Sequence, residues 1–230
     1  MLDIPRVVAI VQARMGASRL PNKMMLHLHG YPVVEWCYRR VSRATGIDEL
    51  LVAIPDTPRD EVLGSYLRNI GATVVKGEER DVVKRFYDAA AGARATHIVR
   101  ICADNPLISW QETDRLIKFY FGSGCDYAYN HIPRNNRYAD GLGAEIASFA
   151  LLERIHRTAH DPVHREHVFN FLWDHPGEFV IKTLDPEDER LACPGLRLDI
   201  DTYDDYRTLL AADIHIDMDS VEIVDIFRRL

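Results

Sequence analysis

The sequence contains little of what several classes of protein depend on. Its four cysteines, at positions 37, 102, 125 and 193, form no CxxC pair and fit neither a zinc site nor a disulfide framework, so we expect reduced, mostly buried thiols. No apolar run approaches the length of a membrane span, and the apolar run near the N-terminus is too short for a secretory signal. The resulting expectation is a cytoplasmic protein with no membrane partner.

Basic charge is also scarce. The 230 residues include 28 Lys and Arg against 35 Asp and Glu, which gives a formal net charge of −7. A surface that coats nucleic acid needs a basic excess to displace counterions, so we expect no nucleic-acid partner, although a local cluster of cations can still bind a small anion. Neither GxGxxG nor the Walker sequence GxxxxGK[ST] occurs, which argues against an NAD-dependent oxidoreductase and a P-loop protein.

The chain does have a regular alternation of short β-rich runs and amphipathic stretches, which is typical of an α/β protein with a largely parallel sheet. We expect strands at residues 7–11, 50–54, 72–75, 97–102, 126–129, 144–146, 179–184 and 196–200. We expect helices at residues 32–44, 60–69, 82–93, 110–121, 149–158, 162–173, 203–212 and 220–229. The polar segment 131–142 is long for a loop, and loops of that length are usually functional or mobile.

The segment from Gln12 to Lys23, QARMGASRLPNK, follows the first expected strand. Ligands bind beyond the carboxyl ends of strands in open α/β sheets. The segment holds Arg14, Arg19 and Lys23 around Gly16, and a triphosphate requires such cations together with closely approaching backbone N–H groups. Composition alone supports an anion-binding loop and a solvated basic loop equally.

The string IVQARMGASRLPNK resembles the nucleotide signature of the sugar-nucleotidyltransferases. It is closest to the acid-sugar cytidylyltransferases and to the spore-coat polysaccharide biosynthesis group, whose usual form is near QARMGSTRLPGK. The resemblance implies a Rossmann-like, GT-A-like nucleotidyltransferase fold of three layers, α/β/α, with a mostly parallel sheet. It also implies a single domain over residues 1–230, with an acceptor-binding and dimerisation subregion at about 125–185. Ala17, Ser18 and Asn22 depart from the usual string, and asparagine tolerates a positive φ better than most residues.

Two carboxylates far apart in the sequence are candidate magnesium ligands, because Mg²⁺ is usually held by one or two carboxylates together with phosphates and waters. Asp104 follows the strand HIVRIC, and Asp199 and Asp201 lie two apart in LRLDIDTYDDY. The alternative role for Asp201 is to N-cap the helix that begins near Tyr203. ADNPLI is similar to the family's GDxPLI segment, and LDIDTYDDY is similar to its VDTxEDL segment. The resemblance implies that Asp104 and Asp201 hold the metal, and it leaves the role of Asp199 open.

The resemblance places the nucleoside over the loop after the second strand and beside the loop after the third. EERDVVKRFYDAA is similar to SEEDVLGRYYDAA, so Asp81 and Arg85 would help to close the pocket, although a solvated helix face with i,i+4 charge pairs explains these charges equally well. Arg100 should be half-buried, with an anion or a carboxylate as its partner. The implied catalytic residues are Arg14, Lys23 and Asp104. The implied nucleotide-binding residues are Gln12, Ala13, Arg14, Met15, Gly16, Ser18, Arg19, Lys23, Pro55, Asp56, Lys76, Gly77, Asp81, Arg85 and Arg100.

Two later segments, ADGLGAEI and DPVHREHV, resemble PDGLDVEV and DPYEREHV, which line the acceptor pocket in the family. The implied substrate-binding residues are Asp140, Glu145, Arg165, Glu166 and His167. Gly143 stands where the family has an aspartate, and an acceptor with a carboxylate, phosphate or phosphonate would explain Arg165 beside His167. The histidines at 156, 160, 164 and 167 are accompanied by no HExxH and no cysteine cluster, so we expect surface histidines and one site histidine rather than a zinc site.

The implied enzyme is a Mg²⁺-dependent cytidylyltransferase, which transfers CMP from CTP to an acidic sugar or another small acidic acceptor and releases pyrophosphate. Two alternatives stay open: a different nucleoside triphosphate as donor, and a nucleotide-binding regulatory subunit that has lost catalysis. Both candidate metal ligands are present, which argues against lost catalysis. By the same resemblance we expect a homodimer.

Overall fold

Strand β1 (Val7–Gln12) lies inside the sheet, and all of its residues but the last are buried. Its side chains alternate between two hydrophobic core clusters, with Val7 and Ala9 in one and Val8 and Ile10 in the other. The computed structural model describes residues 4–175 and 177–229. A strand with apolar residues at successive positions needs a covering layer on both faces, and these two clusters supply it.

Seven of the described strands form one sheet in the order β5-β4-β1-β6-β8-β7-β9, and β2 and β3 form a separate antiparallel pair. Besides β1, the strands are β2 (His27–Leu28), β3 (Tyr31–Pro32), β4 (Glu49–Pro55), β5 (Thr73–Gly77), β6 (His97–Cys102), β7 (Tyr127–Tyr129), β8 (Glu145–Ser148) and β9 (Ile181–Thr183). Strands β5, β4, β1 and β6 are mutually parallel, as are β7 and β9, whereas β8 is antiparallel to both of its neighbours. The expectation of a mostly parallel sheet is confirmed.

Helices cover both faces of the sheet. They are α1 (Val33–Val41), α2 (Glu61–Asn69), α3 (Val82–Gly92), α4 (Trp110–Ser123), α5 (Phe149–Thr158), α6 (Pro162–Glu166), α7 (Asn170–Asp174), α8 (Tyr203–Ala211) and α9 (Ser220–Phe227). Leu63 of α2 and Leu116 of α4 belong to one core cluster, and Phe86 of α3 and Leu152 of α5 to the other, which gives the expected α/β/α layering. In the described part of the chain, none of the helices combines the length and the apolarity that crossing a bilayer requires.

Two expected elements differ from the structure. The helix expected over 162–173 is two short helices, α6 and α7, because His167 adopts an extended backbone and the chain then turns Phe169 into the core, where its ring lies 5.0 Å from that of Tyr127. The strand expected at 196–200 does not join the sheet. Leu198 donates its N–H to the Asp140 carbonyl and Ile200 donates to the Asp104 carbonyl, so this extended segment divides its hydrogen bonds between two loops.

The C-terminal segment returns to the first helix through a buried arginine. The Arg40 guanidinium donates to the carbonyls of Ile108, Ile216 and Met218 at 2.8, 3.0 and 2.8 Å. A fully buried guanidinium is costly without partners, and these three carbonyls supply them. The contact holds the end of the chain against α1, on the side of the sheet where the first loop also lies.

Candidate active site

The loop after β1 is closed by backbone hydrogen bonds rather than left open to solvent. Asn22 donates its N–H to the Met15 carbonyl at 3.0 Å, and its φ of 62° is the positive value that asparagine tolerates. The Met15 N–H donates to the buried Asp60 carboxylate at 2.7 Å, and the Thr57 hydroxyl donates to the other Asp60 oxygen at 2.5 Å. The loop therefore has a fixed shape that the side chains of Ala13 and Met15, both buried, help to anchor.

Gly16 lies directly against the Arg59 guanidinium. A Cβ at position 16 would be 2.3 Å from Nη2 of Arg59, whose other contact is an ion pair with Glu79 at 2.5 Å. The guanidinium is the end of a flexible side chain, so an alanine at position 16 would displace Arg59 and would not disrupt the backbone. The glycine brings this exposed arginine close to the loop.

The Lys23 ammonium is held at the end of the loop by three oxygens. It donates to Asp104 Oδ2 at 3.1 Å, to Asp201 Oδ1 at 3.3 Å and to the Ile200 carbonyl at 2.5 Å. Lys23 is 6% exposed, so nearly all of its surroundings are protein. The three donors of the ammonium are thereby all used, and the two candidate metal ligands are brought to one point.

Asp201 is the centre of a larger group of charges. Besides Lys23, Asp201 is contacted by Arg19 at 2.8 Å and by Arg197 at 3.5 Å, and Arg197 also pairs with Asp199 at 2.7 Å. Asp199, whose role the sequence left open, is thus a partner of Arg197. The sequence also allowed Asp201 to be an N-cap, and that alternative is wrong.

The cap of α8 is the next residue, Thr202. Its side chain accepts the Asp205 N–H at 3.3 Å, and the Asp205 carboxylate accepts the Thr202 N–H in return at 2.7 Å, which forms a capping box. The Asp201 side chain is therefore free of helix capping, and it points toward Lys23.

These residues border a cavity of about 500 Å³ at the carboxyl ends of β1 and β6, which we call the central cavity. Strand ends of this kind are where α/β proteins bind ligands. The walls include sequence-predicted residues from every part of the chain: Gln12, Arg14, Ser18, Arg19, Lys23, Arg100, Asp104, His167 and Asp201.

Arg100 reaches the same cavity through a buried ion pair. Its guanidinium pairs with Glu145, and it also donates to Gln12 Oε1 at 3.3 and 3.4 Å. The Tyr127 hydroxyl donates to the other Glu145 oxygen at 2.5 Å, and His131 Nε2 lies 3.8 Å from the Glu145 oxygen that pairs with Arg100. Burial opposes the charge of Glu145, but Arg100 and His131 outweigh it, so the pKa of Glu145 is lowered. The carboxylate partner expected for Arg100 is therefore present.

A second cavity, of about 540 Å³, shares Arg14 as a lining residue with the central cavity. We call it the side cavity, and Asp81, Arg165 and Glu166 also line it. Arg14 pairs with Glu166 at 3.6 Å, and Arg165 pairs with Asp81 at 2.5 Å. The sequence grouped Arg165 with His167, but they line different cavities.

Arg85 lies beneath this region and is completely buried. Its Nη1 donates to the backbone carbonyls of Glu78 and Glu79, while Nε and Nη2 have no hydrogen-bond partner among the described residues. Burial and the neighbouring Arg14 lower the pKa of Arg85 to about 10. A solvated helix face is therefore the wrong description of Arg85, although Lys84 and Asp88 on the same helix do form an exposed i,i+4 pair.

The remaining predicted nucleotide residues form an edge beside the two cavities. The Asp56 N–H donates to the Gly77 carbonyl at 2.8 Å, and the Lys76 ammonium lies 3.4 Å from the Asp56 carboxylate. A Cβ at Gly77 would be 3.0 Å from Cγ of Arg85, so the backbone lies directly on the buried arginine. The predicted residues that line neither cavity are Ala13, Met15, Gly16, Pro55, Asp56, Lys76, Gly77, Arg85, Asp140 and Glu145.

Asp140 is half-buried close to the charged group around Asp201, and it has no ion-pair partner among the described residues. Burial, and then the negative charge of Asp199, raise the pKa of Asp140 to about 6. Its backbone pairs with the segment that carries Asp199, and a Cβ at Gly141 would be 2.7 Å from the Asp199 nitrogen. The backbone around Asp140 thus packs against the segment that carries Asp199 and Asp201.

Several lining residues were not predicted from the sequence to be site residues. In the central cavity they are Ala17, Met24, Cys102, His131, Ile132 and Asn170, and in the side cavity Glu79, Arg80, His160 and Pro162. His131 begins the polar 131–142 segment, which was a usable signal, and burial lowers its pKa. From the sequence, Cys102 was expected only to be one of four reduced, mostly buried thiols. The thiols of Cys37 and Cys125 are buried, whereas Cys102 and Cys193 are partly exposed.

The two carboxylates that contact Lys23 offer the oxygen ligands that a hard divalent cation prefers. Asp104 and Asp201 supply carboxylates only, and within residues 4–175 and 177–229 no group of three or more His, Cys, Asp or Glu is placed to hold a metal. A site of two carboxylates suits Mg²⁺, which keeps waters and substrate phosphates as its other ligands.

A model of the cytidylyltransferase family matches residues 8–223, which is nearly the whole chain. The chain belongs to the cytidylyltransferase family. The match includes the first loop, both candidate metal ligands and both cavities. The expectations of an acid-sugar cytidylyltransferase relative and of a nucleotidyltransferase enzyme are confirmed by this match and by the relatives that follow.

Among its relatives is the spore coat polysaccharide biosynthesis protein SpsF of Bacillus subtilis, which is 29% identical over 233 residues, covering 97% of this chain and 94% of SpsF. A solved cytidylyltransferase from Leptospira borgpetersenii superposes with a TM-score of 0.90 at 25% identity, covering 98% of this chain and 95% of that one. A CMP:2-keto-3-deoxy-manno-octonic acid synthetase solved with CTP gives 0.66 at 15% identity, covering 90% and 97%. The last of these shows the shared cytidylyltransferase fold alone.

Proposed function

We propose that this chain transfers CMP from CTP, with Mg²⁺, to a small acidic acceptor and releases pyrophosphate. The observation that carries the proposal is the contact of Lys23 with Asp104 and Asp201 at the end of an arginine-bearing loop. Such a group places fixed cations for phosphates beside carboxylates for a metal, and phosphoryl transfer depends mainly on positioning and electrostatics. The family match and the CTP complex of the synthetase support CTP as the donor.

Arg14, Arg19 and Lys23 are the groups that we assign to the triphosphate. All three line the central cavity, and their loop is fixed by Asp60 and by the Asn22 turn. Arginine forks grip phosphate oxygens in a bidentate manner and lysine adds a point charge, so the three can hold a polyphosphate in one orientation. That orientation sets the α-phosphorus in line with the acceptor.

Asp104 and Asp201 would hold Mg²⁺. When bound, the ion neutralises the charge that develops on the α-phosphate and on the departing pyrophosphate. The aspartates lie at 31% and 22% side-chain exposure, so they are reachable from the cavity and still shielded enough for strong electrostatics. We assign the base to the edge formed by Pro55, Asp56, Lys76 and Gly77. Backbone groups of this edge would recognise the base.

The acceptor would enter past Arg100, His131 and His167, which line the central cavity apart from the arginine-bearing loop. A carboxylate, phosphate or phosphonate acceptor is already ionised and needs no general base. Residues 125–185 supply two of these three side chains, so we assign this subregion to acceptor binding. On the family resemblance alone, we also assign it to the face of a homodimer. In the side cavity, Glu166 would act on the acceptor through its pair with Arg14, and Arg165 through its pair with Asp81.

A screen of pyrophosphate release tests the proposal. CTP, UTP, GTP and ATP would each be combined with Mg²⁺ and with acid sugars, phosphorylated small acids and phosphonates. We expect release only with CTP and with one class of acceptor.

Two other results would each contradict the proposal in a different way. Release with another triphosphate would replace CTP as the donor. Saturable CTP binding without release for any acceptor would indicate the non-catalytic regulatory subunit.

A further inference from the structure

The Lys23 ammonium lies where the two candidate metal ligands meet. Its distances of 3.1 Å to Asp104 and 3.3 Å to Asp201 are those of ion pairs, and the Ile200 carbonyl at 2.5 Å completes its hydrogen bonds. A cation that bridges two carboxylates removes the repulsion that they would otherwise have. Lys23 therefore offsets much of the negative charge that Asp104 and Asp201 would otherwise present to a cation.

The charges that contact one another directly in the site are balanced, and Asp140 lies beside this group without joining its ion pairs among the described residues. Lys23, Arg19 and Arg197 carry three positive charges, and Asp104, Asp199 and Asp201 carry three negative charges, all linked by the contacts already given. A divalent cation added alone would bring excess positive charge into this group. A triphosphate added alone would bring excess negative charge. Either ligand by itself therefore meets an electrostatic penalty in a partly buried site.

We propose that Lys23 is an exchangeable counter-ion of the metal site: it neutralises Asp104 and Asp201 until Mg²⁺ arrives, and it then turns to the triphosphate. The inference rests on the metal assignment made under the proposed function. One side chain thereby serves both ligands in turn. Binding of the metal releases the cation that the triphosphate needs, and binding of the triphosphate withdraws the cation that competes with the metal.

This exchange predicts that removal of the Lys23 charge has opposite effects on the two ligands. Lys23→Met keeps most of the length of the side chain and removes the ammonium. Mn²⁺ added alone should bind more tightly to the variant, by roughly tenfold or more, because its competitor is gone. Inorganic triphosphate in the absence of divalent metal should bind more weakly by a similar factor, because one cation of its site is gone.

The experiment measures free Mn²⁺ by electron paramagnetic resonance during titration of the protein without nucleotide, and triphosphate binding by calorimetry with a chelator present. Lys118→Met is the matched control, because Lys118 is exposed on α4 and lines neither cavity. It should leave both affinities as in the unmodified chain. Circular dichroism and the melting temperature check that each variant is folded.

Equal or weaker Mn²⁺ binding by a folded Lys23→Met variant would overturn the exchange. Repulsion between the exposed carboxylates could unfold that variant, and the double variant Lys23→Met/Asp104→Asn removes the repulsion. Because it has lost one metal ligand, the double variant should bind Mn²⁺ more weakly than Lys23→Met. If Lys23→Met does not fold, the double variant is compared with Asp104→Asn instead, and it should bind Mn²⁺ at least as tightly as that single variant. A double variant that binds less tightly than Asp104→Asn would contradict the role of Lys23 as a competitor.

Failure of the exchange and failure of the proposed function give different results. If Asp104→Asn does not weaken Mn²⁺ binding to a chain that otherwise binds it, the metal assignment is wrong and the exchange falls with it. If Asp104→Asn weakens binding but Lys23→Met does not strengthen it, the metal assignment stands and only the exchange is wrong. Neither measurement uses CTP or an acceptor, so the result is independent of the pyrophosphate screen.

Discussion

Two clusters of basic side chains and carboxylates reach the central cavity, and they differ in how exposed their carboxylates are. Arg100 and Glu145 have side-chain exposures of 12% and 5%, while Asp104 and Asp201 have 31% and 22%. In the closed cluster, both Glu145 oxygens have protein donors, Arg100 and Tyr127. In the open cluster, solvent and ligands can reach the carboxylates. The comparison separates a fixed ion pair that shapes the cavity from an exchangeable one that binds ligands.

The difference has a physical basis in desolvation. Breaking a fully buried pair strands a charge, whereas a partly exposed carboxylate, such as Asp104 or Asp201, can exchange its protein cation for water or a metal. Burial also raises the pKa of Tyr127, so its hydroxyl remains a donor to Glu145 at any physiological pH. We therefore expect the closed cluster to determine stability and the open cluster to determine activity.

The largest effect should come from the open cluster. Asp104→Asn or Asp201→Asn should lower the rate of pyrophosphate release by roughly 10²-fold or more, because a lost group that stabilises transition-state charge costs at least this much. The melting temperature should change little. Asp88→Asn, which alters an exposed pair with Lys84, is the control. Full activity in either variant would remove the metal assignment.

The closed cluster should give the reverse pattern. Glu145→Gln leaves the Arg100 charge buried without its partner, so the free energy of unfolding should fall by roughly 3 kcal/mol or more. Denaturant unfolding at neutral pH measures this loss. Glu153→Gln, in the exposed pair with Arg157, should cost about 1 kcal/mol or less. Comparable losses in the two variants would mean that the cluster is not closed.

Asp140 tests whether the negative charges near the open cluster destabilise the folded chain at neutral pH. Its pKa of about 6 lies above the ordinary 3.8, so the folded state binds the proton more tightly than the unfolded state. Stability from this group is present below the unfolded pKa and is lost as the pH rises toward and through 6. Asp140→Asn should therefore raise the melting temperature by about 2–4 °C at pH 8, with a smaller gain at pH 4. A gain that is independent of pH would contradict this origin.

The smallest effect should come from the exposed pair between the two cavities. Glu166→Gln frees Arg14 for the triphosphate, and because exposed pairs contribute at most about 1 kcal/mol, CTP affinity should increase up to about fivefold. Calorimetric titration with CTP measures the change. Glu178→Gln, which breaks the exposed pair with Arg154, should leave the affinity unchanged. A weaker CTP affinity in Glu166→Gln would show that Glu166 supports the nucleotide directly.

The sequence predicted the local features of the site well. The buried strand β1 and the loop that follows it depend on neighbouring residues, and both are confirmed. Asn22 has the positive φ that its residue type tolerates. The family resemblance supplied Asp104 and Asp201 as a pair, which their spacing alone could not do. Their common contact with Lys23 depends on the return of the C-terminal segment.

Features that depend on tertiary packing were not predicted. Arg100 and Glu145 were both named, but for the nucleotide and for the acceptor, because nothing in the sequence indicates that β6 and β8 are neighbours. The end of α6 at Glu166 follows from core packing of Phe169 rather than from any breaker residue. His131 enters the cavity from the 131–142 loop, for which the sequence indicated a polar segment but not which side chains reach the site.

The arrangement of Lys23 and Asp201 has a consequence for folding. The two residues are 178 positions apart, and closing so long a loop costs chain entropy before the contact can repay it. The parallel half of the sheet, β1, β4, β5 and β6, is built from the first 102 residues, so it can pair its strands without Asp201. An intermediate with that half formed would have a native-like core and yet lack a complete ligand site. Ligand binding would therefore begin only after the C-terminal segment has brought Asp201 to Lys23.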